Sequence, residues 1–230
     1  MTELFPNRNL NSLYIILDCI FLVAFAIYFL KTKRYTALVI GVLGGLLYFL
    51  ADYGGFYLLL GTRKVSGANT FWFLLWLSMS YGFTNMSWMY LWFAEKKSRL
   101  EISTLIMLWW FCAAIISKGA GSAFQQISIE RGTGGYHWLM AVFLFVGYAI
   151  VIAKNLCAKN ENEKWPLLEI LAIGILVQFA WEAILLVTGI RSAGIRTLIV
   201  DSLMETNLGS PFMYFIYLGI EKFKAKKKID

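Results

Sequence analysis

Long apolar runs separated by short polar connections dominate this chain. Seven such runs lie at residues 12–30, 36–60, 70–93, 102–117, 137–153, 166–188 and 197–220. An apolar helix of about 20 residues is long enough to cross the hydrocarbon core of a bilayer. The pattern therefore predicts an all-α, polytopic membrane protein, a seven-transmembrane-helix bundle in which residues 1–230 form a single transmembrane domain.

The composition indicates that lipid is part of the solvent around this chain. Hydrophobic residues make up 59% of the sequence and charged residues 15%, and the mean hydropathy is +0.64. A soluble domain of 230 residues cannot bury that much apolar surface. The net charge of +7 would suit a nucleic-acid partner, but the basic residues cluster between apolar runs, as in membrane proteins. We expect no nucleic-acid partner.

Cysteine and histidine are too sparse to predict a metal centre or a disulfide framework. The three cysteines, Cys19, Cys112 and Cys157, are widely separated, and His137 is the only histidine. The sequence contains no CxxC or HExxH spacing. We therefore expect no metal and no cofactor. The N-terminal segment lacks a basic region and a small-residue cleavage site, so we expect no cleavable signal peptide.

Lysine and arginine are distributed unequally between the two sets of connections. One set, with the tail 221–230, carries fourteen: Lys31, Lys33, Arg34, Lys96, Lys97, Arg99, Lys154, Lys159, Lys164, Lys222, Lys224, Lys226, Lys227 and Lys228. The other set carries seven: Arg8, Arg63, Lys64, Lys118, Arg131, Arg191 and Arg196. Because the richer side faces the cytoplasm, the N-terminus is predicted outside and the C-terminus inside. This favours the plasma membrane of a bacterium, or the endoplasmic reticulum membrane of a eukaryote given the terminal dilysine form of Lys227 and Lys228.

The longest connection, residues 119–136, is rich in glycine and lies on the predicted outer side. Two interpretations remain open, a mobile lid over a site and a slack loop, and the slack loop is favoured.

Two stretches of the chain resemble each other. Residues 34–52 align with 164–182 without a gap, so that Arg34 meets Lys164, Tyr35 meets Trp165, Gly44 meets Gly174, Phe49 meets Phe179 and Asp52 meets Glu182. Further on, Thr84-Asn85 resembles Thr206-Asn207. These matches predict a 3+1+3 parallel repeat, with repeat one at about 12–93, a linker helix at about 102–117 and repeat two at about 137–220. The alternative is chance similarity between membrane helices, which share few residue types.

Five carboxylates fall within the predicted spans: Asp18, Asp52, Glu182, Asp201 and Glu205. An ionised carboxylate at mid-membrane costs at least about 2.5 kcal/mol, so such residues usually face a bundle interior and serve a function. The rise per residue places most of them in one layer of the outer half of the membrane. We predict Glu182, Asp52, Glu205 and Asp201 as catalytic acids. The alternative is that they pair with Arg191 and Arg196 or cap helix ends.

Carboxylates one helical turn apart, such as Asp201 and Glu205, cannot both ionise cheaply in a dry site. One is therefore expected to keep a proton, which it can donate to a substrate or carry across a membrane.

Polar and aromatic residues share helix faces with these acids. Gln178 and Glu182 are spaced i, i+4, as are Tyr48 and Asp52. A stripe in the third run adds Tyr81, Asn85 and Trp88. The predicted substrate-binding residues are Trp181, Gln178, Tyr48, Tyr81, Asn85, Trp88 and Asn207, which line an outward-opening cavity between the second, third, sixth and seventh runs.

The stretch Gln178-Phe179-Ala180-Trp181-Glu182, followed by Asn207-Leu208-Gly209 and Met213-Tyr214, resembles a pattern in the integral-membrane terpene cyclases. These are small seven-helix enzymes of fungal meroterpenoid and indole-diterpene pathways. The resemblance implies that an acid protonates an epoxide or alkene of a polyprenyl substrate. By position it makes Glu182 the proton donor, with Asp52 or Glu205 as the second acid. In the family the Trp-Glu helix belongs to the first half of the chain, where this sequence has Ala51-Asp52.

Three functional hypotheses follow. The first is a membrane-embedded, acid-catalysed cyclase or isomerase (a lyase or isomerase of the terpene-cyclase type) acting on a lipid-soluble prenyl substrate. The second is a proton-coupled small-solute transporter with parallel three-helix repeats. The third is a non-catalytic scaffold or receptor, which leaves the membrane acids unexplained. The expected partners are the lipid bilayer and a hydrophobic small molecule, and the sequence sets no oligomeric state.

Overall fold

The computed structural model describes residues 5–132, 134–191 and 194–227, and 81% of the chain is helical. The prediction of an all-α protein is thus confirmed. The α-helices are α1 (Ser12–Lys31), α2 (Tyr35–Phe49), α3 (Thr70–Ser78), α4 (Thr84–Ala94), α5 (Arg99–Ala120), α6 (His137–Leu156), α7 (Leu167–Val187), α8 (Ile195–Met204) and α9 (Ser210–Lys227). Short 3-10 turns join several of them, at Lys96–Ser98, Gly121–Ala123, Gly134–Tyr136, Glu161–Glu163 and Asn207–Gly209.

Five helical segments are long and apolar enough to cross a membrane by length and composition. They are Ser12–Lys31, Tyr35–Leu59, Lys96–Ala123, His137–Leu156 and Glu161–Val187. Each carries large apolar side chains exposed on its surface, such as Leu43, Leu108 and Phe145. Exposed apolar faces of this extent are typical of helices that contact lipid.

The other two predicted runs are interrupted helices. The run 70–93 is split by a π-helical segment, Met79–Phe83, between α3 and α4. The run 197–220 is split between α8 and α9 by a turn at Glu205–Thr206 and the 3-10 turn that follows. A second π-helical segment, Leu50–Leu59, continues α2. Because π-turns inside helices occur frequently at functional sites, the side chains beside these three interruptions are of particular interest.

A three-stranded antiparallel sheet, absent from the sequence prediction, covers the predicted outer end of the bundle. Its strands are β1 (Phe5–Asn11), β2 (Arg63–Ser66) and β3 (Gln126–Arg131), in the order β1-β3-β2. The central strand lies within the connection 119–136, so both the lid and the slack-loop interpretations were wrong for that segment. The strand has only 6 residues and lies between helical runs, so the sequence pattern did not indicate it. Its hydrogen bonds come from segments that are distant in the sequence.

Polar side chains fix the start of α1 and its attachment to the sheet. Asn11 caps α1 by accepting a hydrogen bond from the backbone N–H of Tyr14 at 3.1 Å. Its amide also donates to the carbonyl of Ser117 at the end of α5. This one residue therefore joins the last position of β1 to two helices.

The opposite end of the bundle is held by a separate ionic group. Arg34, between α1 and α2, donates to Glu95 at 2.9 Å, and Arg99 donates to Glu169 at 2.8 Å. These pairs are partly exposed, and each contributes at most about 1 kcal/mol. They join the connections that the charge distribution places in the cytoplasm.

Small residues allow α2 to approach the π-helical segment Met79–Phe83 closely. A Cβ atom at Gly82 would lie 2.6 Å from the carbonyl oxygen of Gly44 and 2.8 Å from the Cα of Gly45. These obstacles are backbone atoms, which cannot move aside as a flexible side chain can. Glycine at this crossing therefore permits backbone contact between the two elements.

Replacing Gly82 with alanine should separate the two elements and lower the free energy of unfolding by roughly 1–3 kcal/mol, the usual cost of overpacking. Thermal unfolding of the purified protein in detergent measures this loss. Gly219→Ala in α9 is the matched control, because its added methyl group meets no atom within 4 Å. Equal melting temperatures for the two variants would contradict the close crossing.

Candidate functional site

Three of the predicted acids meet in the second half of the chain. Carboxylate oxygens of Glu182, Asp201 and Glu205 all lie within 4.8 Å of one another. Glu182 is on α7, Asp201 is on α8, and Glu205 is at the turn that ends α8. The interruption of the last helix thus turns two of the three carboxylates toward α7.

Two arginines, Arg8 and Arg191, neutralise Glu182. We call these three residues the second clamp, because a similar group forms around Asp52, which comes earlier in the chain. Arg191 donates to Glu182 at 2.5 Å through Nη2, and its Nε contacts the other carboxylate oxygen. Arg8, from β1, approaches the same carboxylate at 3.5 Å. All three side chains are at most 3% exposed. Arg191 also donates to Asp201 at 3.0 Å, so it links two acids.

Asp52 lies in a separate group, the first clamp, made of Asp52, Arg63 and Arg131. Arg63 donates to Asp52 through Nε at 2.9 Å and through Nη2 at 2.7 Å. Arg131 donates to both oxygens of the same carboxylate, at 3.2 and 3.3 Å. The prediction that Asp52 belongs to the layer of acids is compatible with this position, but its direct partners are arginines of the sheet.

Gln178 is the hub of the polar network beside Glu182. Its amide nitrogen donates to Glu182 and to Glu205, both at 3.1 Å. Its carbonyl oxygen accepts from Thr206 at 2.5 Å and from the hydroxyl of Tyr81. An ionised carboxylate accepts hydrogen bonds and donates none. The amide nitrogen of Gln178, rather than its carbonyl oxygen, therefore faces the two acids. All four hydrogen-bonding positions of Gln178 are then used, and the side chain is completely buried.

Glu205 differs from the other three acids in its partners. It is bound by Gln178 and lies 3.4 Å from the hydroxyl of Tyr81. Among the described residues it forms no salt bridge. Within that part of the chain, Glu205 is therefore held by hydrogen bonds to neutral side chains.

Aromatic side chains form one wall of this group. Trp181 packs edge-on against Trp110, with ring centroids 4.5 Å apart, and against Tyr81 at 6.1 Å. The guanidinium of Arg8 lies over the ring of Trp181. Tyr48 packs on Tyr81 at 5.1 Å. It does not hydrogen-bond Asp52, since the π-helical turn that begins at Leu50 breaks the i, i+4 alignment predicted for a regular helix.

The remaining predicted residues lie at increasing distance from the acids. Asn85 reaches the network only through Thr206, at 3.5 Å. Asn207 accepts a hydrogen bond from Tyr148 at 2.5 Å, and Trp88 donates to Ser103 at 2.9 Å. Asp18 accepts from Trp76. The structure thus brings together six of the predicted residues: Glu182, Asp201, Glu205, Gln178, Tyr81 and Trp181. It does not place Trp88, Asn207 or Asp18 in this group.

Three arginines of the site, one from each strand of the sheet, were not predicted from the sequence. Arg8, Arg63 and Arg131 entered only as charges in the outer connections. The alternative in which arginine neutralises the acids holds for Glu182 and Asp201, while the side chain of Arg196 lies outside the described residues. One sequence signal was present: Gly61-Thr62-Arg63 and Gly189-Ile190-Arg191 follow the two acid-bearing helices with the same Gly-x-Arg spacing.

Burial acts on the arginines contributed by the sheet. Burial lowers the pKa of Arg8, and the nearby Arg191 lowers it further, against the opposing effect of Glu182. Burial together with the neighbouring Arg131 lowers the pKa of Arg63 to about 10, although Asp52 opposes the shift. Arg63 therefore remains charged at neutral pH. The four arginines of the two clamps pair with three of the acids, Asp52, Glu182 and Asp201.

The close approach of three carboxylates raises the question of a metal ion. Oxygen ligands at this separation suit a hard cation such as Ca²⁺ or Mg²⁺. However, the guanidinium of Arg191 already contacts two of the three carboxylates, Glu182 and Asp201. We therefore assign Arg191 as the counter-ion of the group.

A cavity of about 240 Å³ opens beside the sheet, at the outer ends of α5 and α7. Its lining includes Asn9, Asn11, Lys118, Gln126 and Thr188. None of the clamp residues or of the four acids lines it. The arginines of the sheet contact Glu182 and Asp52 directly, and the expected cavity between the second, third, sixth and seventh runs stays a prediction.

The chain matches no family among known protein families, no curated protein and no solved structure.

The ion pairs of the second clamp generate a testable expectation. Arg191→Gln leaves Glu182 and Asp201 buried without their shared partner and should cost roughly 3–5 kcal/mol of stability. Adding Glu182→Gln should recover part of that loss, because the uncompensated buried charge is removed. Chemical or thermal unfolding in detergent measures both changes.

Arg99→Gln is the matched control for this experiment, since it removes the same charge from a partly exposed pair and should cost no more than about 1 kcal/mol. Additive losses in the Arg191 and Glu182 double variant would contradict the direct coupling of these two side chains.

Proposed function

We propose that this chain is a membrane-embedded enzyme of the acid-catalysed cyclase or isomerase type, acting on a lipid-soluble prenyl substrate. The observation that carries the proposal is that two neighbouring carboxylates have different kinds of partner. Glu182 is held as an anion by two arginines. Glu205, within 4.8 Å of it, is held by the neutral side chains Gln178 and Tyr81.

This division of roles suits proton donation by Glu205. A carboxylic acid that is not bound by a guanidinium can transfer its proton to an epoxide oxygen or an alkene carbon of the substrate. The carbocation that forms then cyclises and loses a proton, which returns to the carboxylate, so that the overall reaction is an isomerisation. The resemblance to the membrane terpene cyclases makes Glu182 the donor, whereas its ion pairs favour a different role, that of a fixed negative charge.

The surroundings of the two acids also suit a cationic intermediate. The faces of Tyr81 and Trp181 can stabilise a carbocation through the negative potential of their π-systems. Fixed charges act strongly in a site from which water is excluded. Such chemistry needs neither a nucleotide nor a metal ion.

The proposal includes an orientation in the membrane. Five membrane-length segments, together with the two interrupted helices, account for the seven predicted runs. An outside N-terminus and a cytoplasmic C-terminus would place the three-stranded sheet outside and the basic tail inside. The acids would then lie in the outer half of the bilayer, where a prenyl chain dissolved in the lipid can reach them between helices.

A second candidate, a proton-coupled transporter, is favoured by one specific observation. The two interrupted helices, α3–α4 and α8–α9, occupy matching positions in the proposed parallel repeats, and interrupted helices in matching positions often mark the binding site of a transporter. In this case Glu205 would carry the proton across the membrane. Proton-driven uptake into proteoliposomes, abolished by Glu205→Gln, would support the transporter over the enzyme.

The enzymatic proposal predicts that membranes containing this protein convert a prenyl epoxide into a cyclised isomer. Glu205→Gln should reduce the rate by about 10²–10⁴-fold, the usual contribution of a positioned general acid. Product formation is measured by mass spectrometry after incubation with a panel of prenyl epoxides. Glu101→Gln, at the opposite end of the bundle, is the matched control and should retain full activity. Intact substrate binding without turnover across the panel would refute the proposal.

The proposed orientation predicts which cysteines react with a membrane-impermeant maleimide in intact cells. In a background without native cysteines, Ser122→Cys should be labelled, because it lies next to the sheet. Cys157 restored alone, between α6 and α7, should be protected until the cells are lysed. The reverse pattern would overturn the orientation and leave the bundle itself unaffected.

A further inference from the structure

The two clamps share a backbone geometry as well as a charge pattern. In each half, a glycine with positive φ ends the helix that carries the acid: Gly61 at φ 60° and Gly189 at φ 73°. The arginine two residues later pairs its backbone with a second arginine across an antiparallel bridge, Arg63 with Arg131 and Arg8 with Arg191.

The hydrogen bonds that flank these bridges also correspond. In the first clamp, the N–H of Gly132 donates to the carbonyl of Thr62 at 3.0 Å. In the second clamp, the N–H of Asn9 donates to the carbonyl of Ile190 at 2.8 Å. Both bonds join the residue after one arginine to the residue before the other. The two clamps are therefore equivalent structural units, each presenting two guanidinium groups to one carboxylate.

The two units differ in their number of acids. In the second clamp, Asp201 lies 3.0 Å from Arg191, so two arginines face two carboxylates. In the first clamp, the only carboxylate within 4 Å of the two arginines, among the described residues, is Asp52. When Thr84-Asn85 is aligned with Thr206-Asn207, the position of Asp201 falls on Met79. The first half of the chain thus has an apolar residue where the second half has its second acid.

Arg131 retains an unused donor in this first clamp. Its Nε is buried and has no hydrogen-bond partner among the described residues. A buried donor that bonds nothing costs about 1–3 kcal/mol, and more when it is charged. The Nε of Arg8 is also without a partner in that part of the chain. However, the guanidinium of Arg8 lies over Trp181, and its clamp is balanced in charge.

The first clamp is also the more accessible of the two. Arg131 is 14% exposed and Asp52 is 13% exposed, while Arg63 is 1% exposed; the three side chains of the second clamp are all at most 3% exposed. A ligand can therefore reach the first clamp from the outer side with a smaller rearrangement. Glu205 does not fill this role, because its carboxylate is bound to Gln178 and lies more than 4 Å from both arginines.

We infer that Arg63 and Arg131 form a binding site for the carboxylate group of a ligand, which pairs with the first clamp as Asp201 pairs with the second. One negative charge completes the charge balance of the unit. A carboxylate can accept two hydrogen bonds from a planar guanidinium, which favours it over a halide ion. This site does not depend on the proposed cyclase activity, and its ligand is a monocarboxylate from the aqueous phase or from the outer lipid leaflet.

Binding is tested with the purified full-length protein in detergent, using sodium butyrate as the aqueous probe and sodium oleate as the lipid-borne probe. Melting temperature is followed as each probe is titrated at constant ionic strength against sodium chloride. We expect a saturable rise in the melting temperature with at least one carboxylate. Saturation by butyrate identifies an aqueous ligand, and saturation by oleate alone identifies a lipid ligand.

Arg131→Gln should weaken carboxylate binding at least tenfold, as expected when a charged hydrogen bond is removed. Arg131→Lys keeps the charge without the bidentate geometry, so it should bind more weakly than the native protein while remaining folded by circular dichroism. Arg99→Gln, in the ion pair at the opposite end, should bind like the native protein.

Three results would overturn the inference. The first is a native melting temperature that responds to carboxylates no more than to chloride. The second is equal affinity in the native, Arg131→Lys and Arg131→Gln proteins. The third is saturation by inorganic phosphate with no response to either carboxylate. Because no turnover is measured, these results are independent of whether the chain is a cyclase.

Discussion

Carboxylates within an apolar bundle require counter-charges, and this requirement shapes the rest of the structure. An ion pair buried away from water is stable only when each partner has its hydrogen bonds satisfied. Helices supply the acids here, and three of the four arginines come from a sheet laid over the end of the bundle. The positions of β1, β2 and β3 follow from this need, since each strand delivers one guanidinium to an acid beneath it. The position of the sheet and the positions of the charged side chains therefore depend on each other.

Among these charged side chains, ion pairing distinguishes residues that are chemically alike. Glu182 lies between two guanidinium groups, whereas Glu205 is bound by an amide and a phenol. Gln178 keeps the two types apart while joining them, because its amide nitrogen bonds to one carboxylate of each type. Both proposals, the enzyme and the transporter, start from this difference between the two carboxylates.

The sequence was sufficient to predict the helical class and the approximate helix positions. Of the four acids expected to meet, Glu182, Asp201 and Glu205 lie together, whereas Asp52 lies in a separate group. The helical class and the helix positions depend on hydropathy and helix periodicity, which are local properties. The sheet could not be predicted in the same way, because paired residues of β1 and β3 are 115 or more positions apart and their pairing depends on the folded bundle. The contact of Tyr48 with Tyr81 was also hidden, since a π-turn leaves no clear mark in a pattern based on regular helices.

The pairing of Arg8 with Glu182 has a consequence for the biogenesis of the protein. The two residues are 174 positions apart, so the N-terminal strand leaves the ribosome long before its acidic partner is made. Until α7 has been made, Arg8 has no Glu182 with which to pair, and the ion pairs beneath the sheet stay incomplete. The second clamp therefore cannot close before Arg191 has been synthesised, so β1 reaches its ionic partner only after most of the chain has been made.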